Sequence, residues 1–401
     1  MPESRRKDSQ PTLTGNSTAI AIRAGKIFTG RNQSLIDDGM VLVRSSRIEA
    51  VGPASNTEIS SDHTLIDLRP CTLLPGLIDA HVHLMGQNPA HDHPGPIEYR
   101  AIRSTAQIGA LLNAGFTTVR DLGSQTSVAL KQAIDDGEIP GSRMLAAGYA
   151  IARTGGPWFG MEPSWRWVRP ADGVDACRKA VNRCVHEGST VIKIGTSTGH
   201  GDSAWGEVPT YSVAEVEAIV HEAHRCGLRV AAHAMGTPGV KTAVLGGVDT
   251  IEHAHNIDDE TLGLIVEQGT FVVPTLRARA FRTGADDRAT YASQVRSLRR
   301  AYDAGARLAL GTDTTGGLEM PHGHENAVEF SLMAETMDPA DALLAGTRVA
   351  AEALGLESEV GTLEPGKMAD IVAVRDNPIH NIDSLQQVEF VMQSGRVISR
   401  P

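Results

Sequence analysis

Cysteine is scarce. The chain has four in 401 residues, namely Cys71, Cys177, Cys184 and Cys226, and no two have C-x-x-C spacing. That excludes a disulfide framework and fits buried free thiols in a reducing cytoplasm. No stretch approaches the roughly 18 consecutive apolar residues of a membrane-spanning helix. The polar opening segment, Met1 to Thr18, lacks the apolar stretch of a secretory signal and reads as a loose tail. An excess of positive charge is also missing. The 37 basic and 48 acidic residues leave a net charge of −11, which argues against non-specific nucleic-acid binding. Tryptophan is rare too, with four residues at Trp158, Trp165, Trp167 and Trp205.

What is present is a chain able to bury a large core, with 41% hydrophobic and 21% charged residues. The length suits one barrel of roughly 250 residues plus a smaller unit. Short β-rich pieces punctuated by Gly, Pro and Asp occur near both ends: "AIAIRAGKIFTG", "GMVLVRSSRIEAVGP" and "TLIDL" early, "ADIVAV" and "VEFVMQSGRVIS" late. They predict a discontinuous β-sandwich built from residues 19–72 and 355–401. Between them, residues 73–354 alternate apolar strands with amphipathic helices such as 171–187 and 213–226. Eight strand candidates stand in series: "LIDAHVHL", "TTVRDLG", "MLAAGYAI", "TVIKIG", "LRVAAHA", "DTIEHA", "TFVVPT" and "RLALGTD". Each is a nearly continuous apolar run, as strands covered on both faces are. Eight β-α units predict a closed (β/α)₈ TIM barrel. An open doubly wound sheet would place a Gly-rich phosphate loop after the first strand, where His81 and His83 stand instead.

Chemistry-bearing residues sit where these strands end. His81 and His83 close the first strand on one face, because strand side chains alternate. Lys193 lies in the fourth strand, His233 ends the fifth, His253 the sixth and Asp313 the eighth. In a barrel these ends meet at one mouth, where active sites of the fold are built. Imidazole and carboxylate there suit zinc or a similar divalent ion. Lys193 interrupts an apolar strand, and a buried ammonium is costly unless paired or neutralised. Reaction of its amine with CO₂ would give a carbamate able to bridge two cations.

The motifs "LLPGLIDAHVHL", "GFTTVRDLG", "VIKIG", "HEAHRCGLRVAAHAMG", "GVDTIEHAHNIDDE", "LALGTDT" and "GTLEPGKMADIVAV" resemble the amidohydrolase superfamily. The likeness is nearest to its binuclear branch of Xaa-Pro and related dipeptidases, ochratoxin-type amidases, and molinate and phenylurea hydrolases; imidazolonepropionase-like proteins share the neighbourhood. The resemblance implies two divalent ions, Zn²⁺ with Mn²⁺ or Co²⁺ as alternatives. His81 and His83 would bind the first, His233 and His253 the second, and carboxylated Lys193 would bridge. Asp313 would bind the first ion and handle the proton of an attacking metal-bridging hydroxide, making Asp313, His253 and Tyr211 the catalytic set. Tyr211, in "VPTYS", resembles a tyrosine that this branch sets near the substrate carbonyl or carboxylate, although an aromatic at a helix start can also simply pack. Ser212 reads as the N-cap of the next helix.

The loop "RTGGPW" departs from the pattern. Relatives often carry Thr-Gly-Gly-His, with the histidine on the substrate, where this chain has Pro157 and Trp158. His200 or His322 could take that histidine's place. All four tryptophans fall in loops after the third and fourth strands, where they could wall a pocket for a bulky apolar group or pack in an interface. Arg153, Arg277 and Arg279 read as surface charges on the same side, any of which could meet a substrate carboxylate. His91, His93, His221, His224, His255 and His324 read as surface residues or supports behind the ligands.

The expected activity is hydrolysis of a C–N bond in an N-acyl amino acid, dipeptide, aryl amide or carbamate. The expected partners are a small-molecule substrate and further copies of the chain, with neither nucleic acid nor membrane. A cyclic amide hydrolase or deaminase is the alternative, but those branches often use one metal and lack the strand-four lysine. A catalytically dead scaffold would have lost ligands that are all present here.

Overall fold

The computed structural model describes residues 19–87, 95–159, 167–198, 208–317 and 320–400. The chain begins with β1 (Ala19–Phe28), β2 (Leu35–Arg44), β3 (Arg47–Pro53) and β4 (His63–Pro75). It then enters the barrel through β5 (Leu77–Val82), β6 (Phe116–Asp121), β7 (Arg143–Ala146), β8 (Ala150–Ala152), β9 (Val168–Pro170), β10 (Ile192–Gly195), β11 (Val230–Ala234), β12 (Thr250–His253), β13 (Phe271–Val273) and β14 (Arg307–Leu308). It returns to the first unit with β15 (Ile371–Val374), β16 (Val388–Gln393) and β17 (Arg396–Ser399).

The two ends of the chain do combine, but into one seven-stranded sheet of order β17-β16-β15-β4-β1-β2-β3 rather than two separately bonded sheets. Alternating apolar residues place Ile22, Val41, Val43, Leu73, Ile371, Phe390 and Met392 in a shared core. The sheet curls so that its two ends approach: Ile48 N–H donates to Lys367 O at 2.9 Å. Gly395, at φ 75° in the β16–β17 turn, lies so close to the β2–β3 turn that a Cβ there would stand 1.8 Å from Ser45 O. One sheet bent onto itself can enclose a core as a sandwich does, with no break in the hydrogen-bond ladder.

Every one of the eight strands expected for the barrel is present. Parallel pairing links β5, β6 and β7, and links β8 and β10 through to β14. The ring closes where Ala80 N–H donates to Leu310 O (2.9 Å) and His83 N–H to Thr314 O (2.8 Å). On the other side Thr190 N–H donates to Ala146 O at 2.8 Å. The third strand is not continuous. Gly148, at φ 64°, bends the chain between β7, which pairs with β6, and β8, which pairs with β10 and β9.

The helix Val174–His186 buries Cys177, Ala180, Val181 and Cys184 along one stripe, the three- and four-residue spacing of an amphipathic helix. Ser212 caps the helix Val213–Arg225 in a reciprocal box with Glu215, an arrangement worth about 1 kcal/mol. All four cysteines are free, and Cys71, Cys177 and Cys184 are buried. No helix among the described residues is long and apolar enough to cross a membrane.

Candidate metal centre

The mouth of the barrel is organised by buried carboxylates beside the histidines. Asp79 on β5 accepts from His81 N–H and Thr312 N–H, both at 3.1 Å, and from Thr312 Oγ1 (2.7 Å) and Asn326 Nδ2 (2.8 Å). It thereby locks the start of the His81 segment to the end of the eighth strand. Burial pushes its carboxyl up to about 6, against those hydrogen bonds. Asp121, ending β6, accepts from Leu84 N–H (2.6 Å) and Gly123 N–H (2.9 Å) and shapes the loops on either side.

At the strand ends the backbone leaves the extended region. His253 has φ 77°, Thr275 has φ 53° and Asp313 has φ 55°. Side-chain-bearing residues rarely hold such values, at a cost of order 1–3 kcal/mol each, and they concentrate at functional sites. Here the three residues follow or end three consecutive strands, and two of them, His253 and Asp313, are candidate ligands.

His81, His83, His233 and His253 converge there, all buried. His81 is 5.2 Å from His83 and 5.2 Å from His253 between ring centres, and His233 lies 4.7 Å from His253. Asp313 Oδ1 is 3.4 Å from His81 Nε2 and 3.1 Å from His83 Nε2. One donor atom each from His81, His253 and Asp313 lies within 4.8 Å of the others, a group that could hold a metal ion. Three rings are gripped from outside through Nδ1. His81 Nδ1 donates to Glu252 Oε2 (2.7 Å), His83 Nδ1 donates to Gly123 O (2.7 Å), and His253 Nδ1 pairs with Thr275 Oγ1 (2.8 Å). His81 Nε2 is buried without a hydrogen bond. An orphaned imidazole nitrogen facing a carboxylate and other imidazoles fits a divalent cation, whose histidine ligands are oriented in this way.

The electrostatics agree. Burial holds His81 and His253 well below the usual imidazole range, reinforced at His81 by Lys193 and at His253 by His233. Both rings are therefore neutral and able to donate a lone pair. Asp313 is pressed upward by burial, but the hydrogen bond and charge of His83, with the charge of Lys193, hold it well below the usual carboxylate range, and Asp313 in turn raises His83 above the usual imidazole range against burial. Lys193, 1% exposed on β10, is brought down to about 8 by burial, against the pull of Glu252 and Asp313. An amine with a sizeable neutral fraction near pH 8 is the form that reacts with CO₂.

Around this centre the residues singled out from sequence divide. Trp158, at φ 69°, meets His233 edge to face at 5.1 Å and lies tilted 4.9 Å from Trp167, which in turn lies 5.1 Å from His83. Two indoles thus cover two of the histidines. His322 is partly buried behind His83, donating from Nε2 to its carbonyl at 3.2 Å, and burial lowers the ring to about 3. Expected as a substrate-binding histidine, it instead commits Nε2 to the backbone of His83. Arg153 is exposed.

Three expectations need correction. The Tyr211 hydroxyl does not present itself to the mouth: the side chain is 2% exposed and donates to Ala171 O at 3.0 Å, so its proton is committed to a strand-end carbonyl. Arg277 and Arg279 are not surface charges. Arg277 is 3% exposed and bonds Thr314 Oγ1 (2.8 Å) and Glu325 Oε2 (2.7 Å), while Arg279 is 7% exposed and pairs with Asp287 at 3.1 Å. His200, Trp165, Trp205, His91 and His93 lie outside the described residues. His255 is buried 6.0 Å from His253, whereas His221, His224 and His324 are exposed.

Reasoning from sequence missed Asp79, Asp121, Arg120 and Glu252. Each is a charged residue inside an apolar strand, the same signal that singled out Lys193, and each was available in "LIDAH", "TTVRDL" and "DTIEH".

A closed parallel barrel with histidines and an aspartate gathered at its C-terminal mouth defines a metal-type hydrolase scaffold. Comparison with known proteins makes this specific. The model of the amidohydrolase family matches residues 72–399, and the chain belongs to that family. Among curated relatives, ochratoxinase of Aspergillus niger is 28% identical, with 97% of this chain and 88% of that protein covered. Imidazolonepropionase of Symbiobacterium thermophilum is also 28% identical, covering 87% and 86%. Among solved structures, a Xaa-Pro dipeptidase with bound methionine in its active site superposes with a TM-score of 0.85 at 31% identity, over 95% of this chain and all of the other. The chain is a hydrolase acting on carbon–nitrogen bonds of the amide type.

Proposed function

We propose that this chain hydrolyses an amide, peptide or carbamate bond of a small substrate bearing a bulky apolar group, an N-acyl amino acid or dipeptide-like compound. His81, His83, His233, His253 and Asp313 would hold two divalent ions, with Lys193 as a bridging carbamate. The observation that carries this reading is the convergence of His81, His253 and Asp313 donors within 4.8 Å above rings fixed from outside through Nδ1. Ions bound there would supply Lewis acidity and a water acidified toward neutral pH.

The chain's own residues do the rest. Asp313, ionised at the mouth with its side chain 25% exposed, accepts a proton from the attacking water and returns it to the leaving nitrogen. The neutral His81 and His253 rings offer lone pairs to the cations without adding positive charge. Trp158, backed by the buried Trp167, excludes water from one side and offers an aromatic face to the substrate's apolar group. The ochratoxinase and dipeptidase relatives support an amide or peptide bond, and the Pro157–Trp158 pair supports a bulkier group than a plain dipeptidase takes.

The test is a screen of the purified, metal-loaded protein against N-acyl amino acids, dipeptides, aryl carbamates and cyclic amides. Turnover of aromatic N-acyl substrates is expected, and Trp158→Ala should raise their KM about tenfold, or about 1.4 kcal/mol, while leaving small substrates nearly unchanged. Equal KM effects on both sets, or turnover confined to cyclic amides, would contradict the proposal.

A further inference from the structure

We infer that Glu252, backed by Arg120, is a positioning residue that fixes the tautomer and orientation of His81 and so sets the affinity of the centre for its first ion. The inference rests on the reading of His81 as a metal ligand. Glu252 is fully buried on β12, and its side-chain bonds lead to Thr250 on the same strand, to Arg120 on β6 and to His81. Oε2 accepts a hydrogen bond from His81 Nδ1 at 2.7 Å, and Oε1 accepts from Arg120 Nη2 at 2.9 Å and from Thr250 Oγ1. Arg120, 1% exposed on β6, also reaches Ala80 O with Nε at 2.6 Å and Thr250 Oγ1 with Nη1 at 3.1 Å. One guanidinium therefore holds both the carboxylate that grips the His81 ring and the carbonyl just before it in the chain.

The other rings are held differently. His83 is held by a carbonyl and His253 by a hydroxyl, both neutral. His81 alone of these three has a carboxylate on Nδ1. That carboxylate keeps the proton on Nδ1, leaves the Nε2 lone pair toward the centre, and makes the ring a stronger donor. Arg120 and Thr250 both donate to the far oxygen of Glu252, which fixes the carboxylate against the His81 ring. A buried ion pair is weak evidence for stability in itself. A pair at the barrel centre with its free oxygen on a ligand ring has a use that packing does not supply. Arg120, Lys193 and Glu252 rise from the second, fourth and sixth strands, the alternate-strand pattern that forms one layer inside a barrel, so the pair also faces the amine proposed to bridge.

The experiment strips the full-length protein with a chelator and titrates zinc against a chromophoric competitor, with the visible spectrum of the cobalt-loaded form as a second readout. Glu252→Gln is expected to fold, to weaken the tighter ion about 10- to 100-fold and to change the cobalt spectrum. Arg120→Met should weaken it in the same direction, and the double variant should be no worse than Glu252→Gln, since both act through one carboxylate. An unchanged affinity and spectrum in Glu252→Gln would overturn the inference. Should Glu252→Gln not fold, the wild-type apoprotein with ¹⁵N-labelled histidine decides: a His81 ring protonated on Nδ1, assigned by its loss in His81→Gln, supports the inference, and one protonated on Nε2 overturns it. A wild-type protein that takes up no zinc at all would instead remove the proposed function.

Discussion

His83 shows how single atoms make this site. Its Nδ1 proton goes to Gly123 O, and its ring lies beside Trp167. Gly123 has φ 145°, and a Cβ there would stand 2.3 Å from the Trp167 ring, so the one residue without a side chain lets an indole and an imidazole share the space. Gly123→Ala is expected to displace Trp167 and lower stability by about 1–3 kcal/mol. A thermal unfolding curve and the KM for aromatic substrates would report it, and an unchanged unfolding temperature would argue against the packing described. At this scale the sequence reveals residues whose chemistry clashes with their surroundings. Lys193 in "VIKIG" and the paired His81 and His83 are visible in that way. Glu252 and Arg120 clash just as strongly, but each stands beside a motif that draws the eye, and the two are 132 positions apart. Tyr211 misleads because an aromatic before a helix cap fits either a mouth or a core, and only the Ala171 carbonyl decides.

Elements matter here chiefly through their ends. Helix Val328–Ala334 carries Glu329, whose carboxylate accepts from Leu276 N–H at 2.8 Å and Arg277 N–H at 2.7 Å. It thereby anchors the turn after β13 that presents Thr275 to His253. Burial pushes Glu329 up to about 8 from 4.5, against those two hydrogen bonds. The folded state therefore holds this proton more tightly than the unfolded chain. The stability it contributes is full below about pH 4.5 and is lost as pH rises to about 8, with a slope of at most about 1.4 kcal/mol per pH unit. Between pH 5 and 8 the metal-free wild type should lose more stability than Glu329→Gln in denaturant titrations. Parallel losses would contradict the assignment. The eight barrel strands and the helices Val174–His186 and Val213–Arg225 were legible from periodicity, and Ser212 as a cap from residue type. The break of the third strand at Gly148 was not, because a single left-handed glycine leaves no mark on an apolar run.

At the scale of the molecule, eight short parallel strands bring residues spread from His81 to Asp313 into contact, and the barrel could be read from their serial order alone. The terminal strands gave the β-rich unit, but not its form as one bent sheet, since the approach of Ser45 to Gly395 is a long-range contact without a local signature. The architecture makes a global prediction: ions that bind only the folded site should stabilise the whole chain.

The most direct test is crystallographic. Crystals of the full chain, soaked in zinc and bicarbonate and measured at the zinc absorption edge, should show two anomalous peaks among His81, His83, His233, His253 and Asp313, with planar carbamate density on Lys193. A bare amine at Lys193 and no anomalous peak at the barrel mouth would contradict the account.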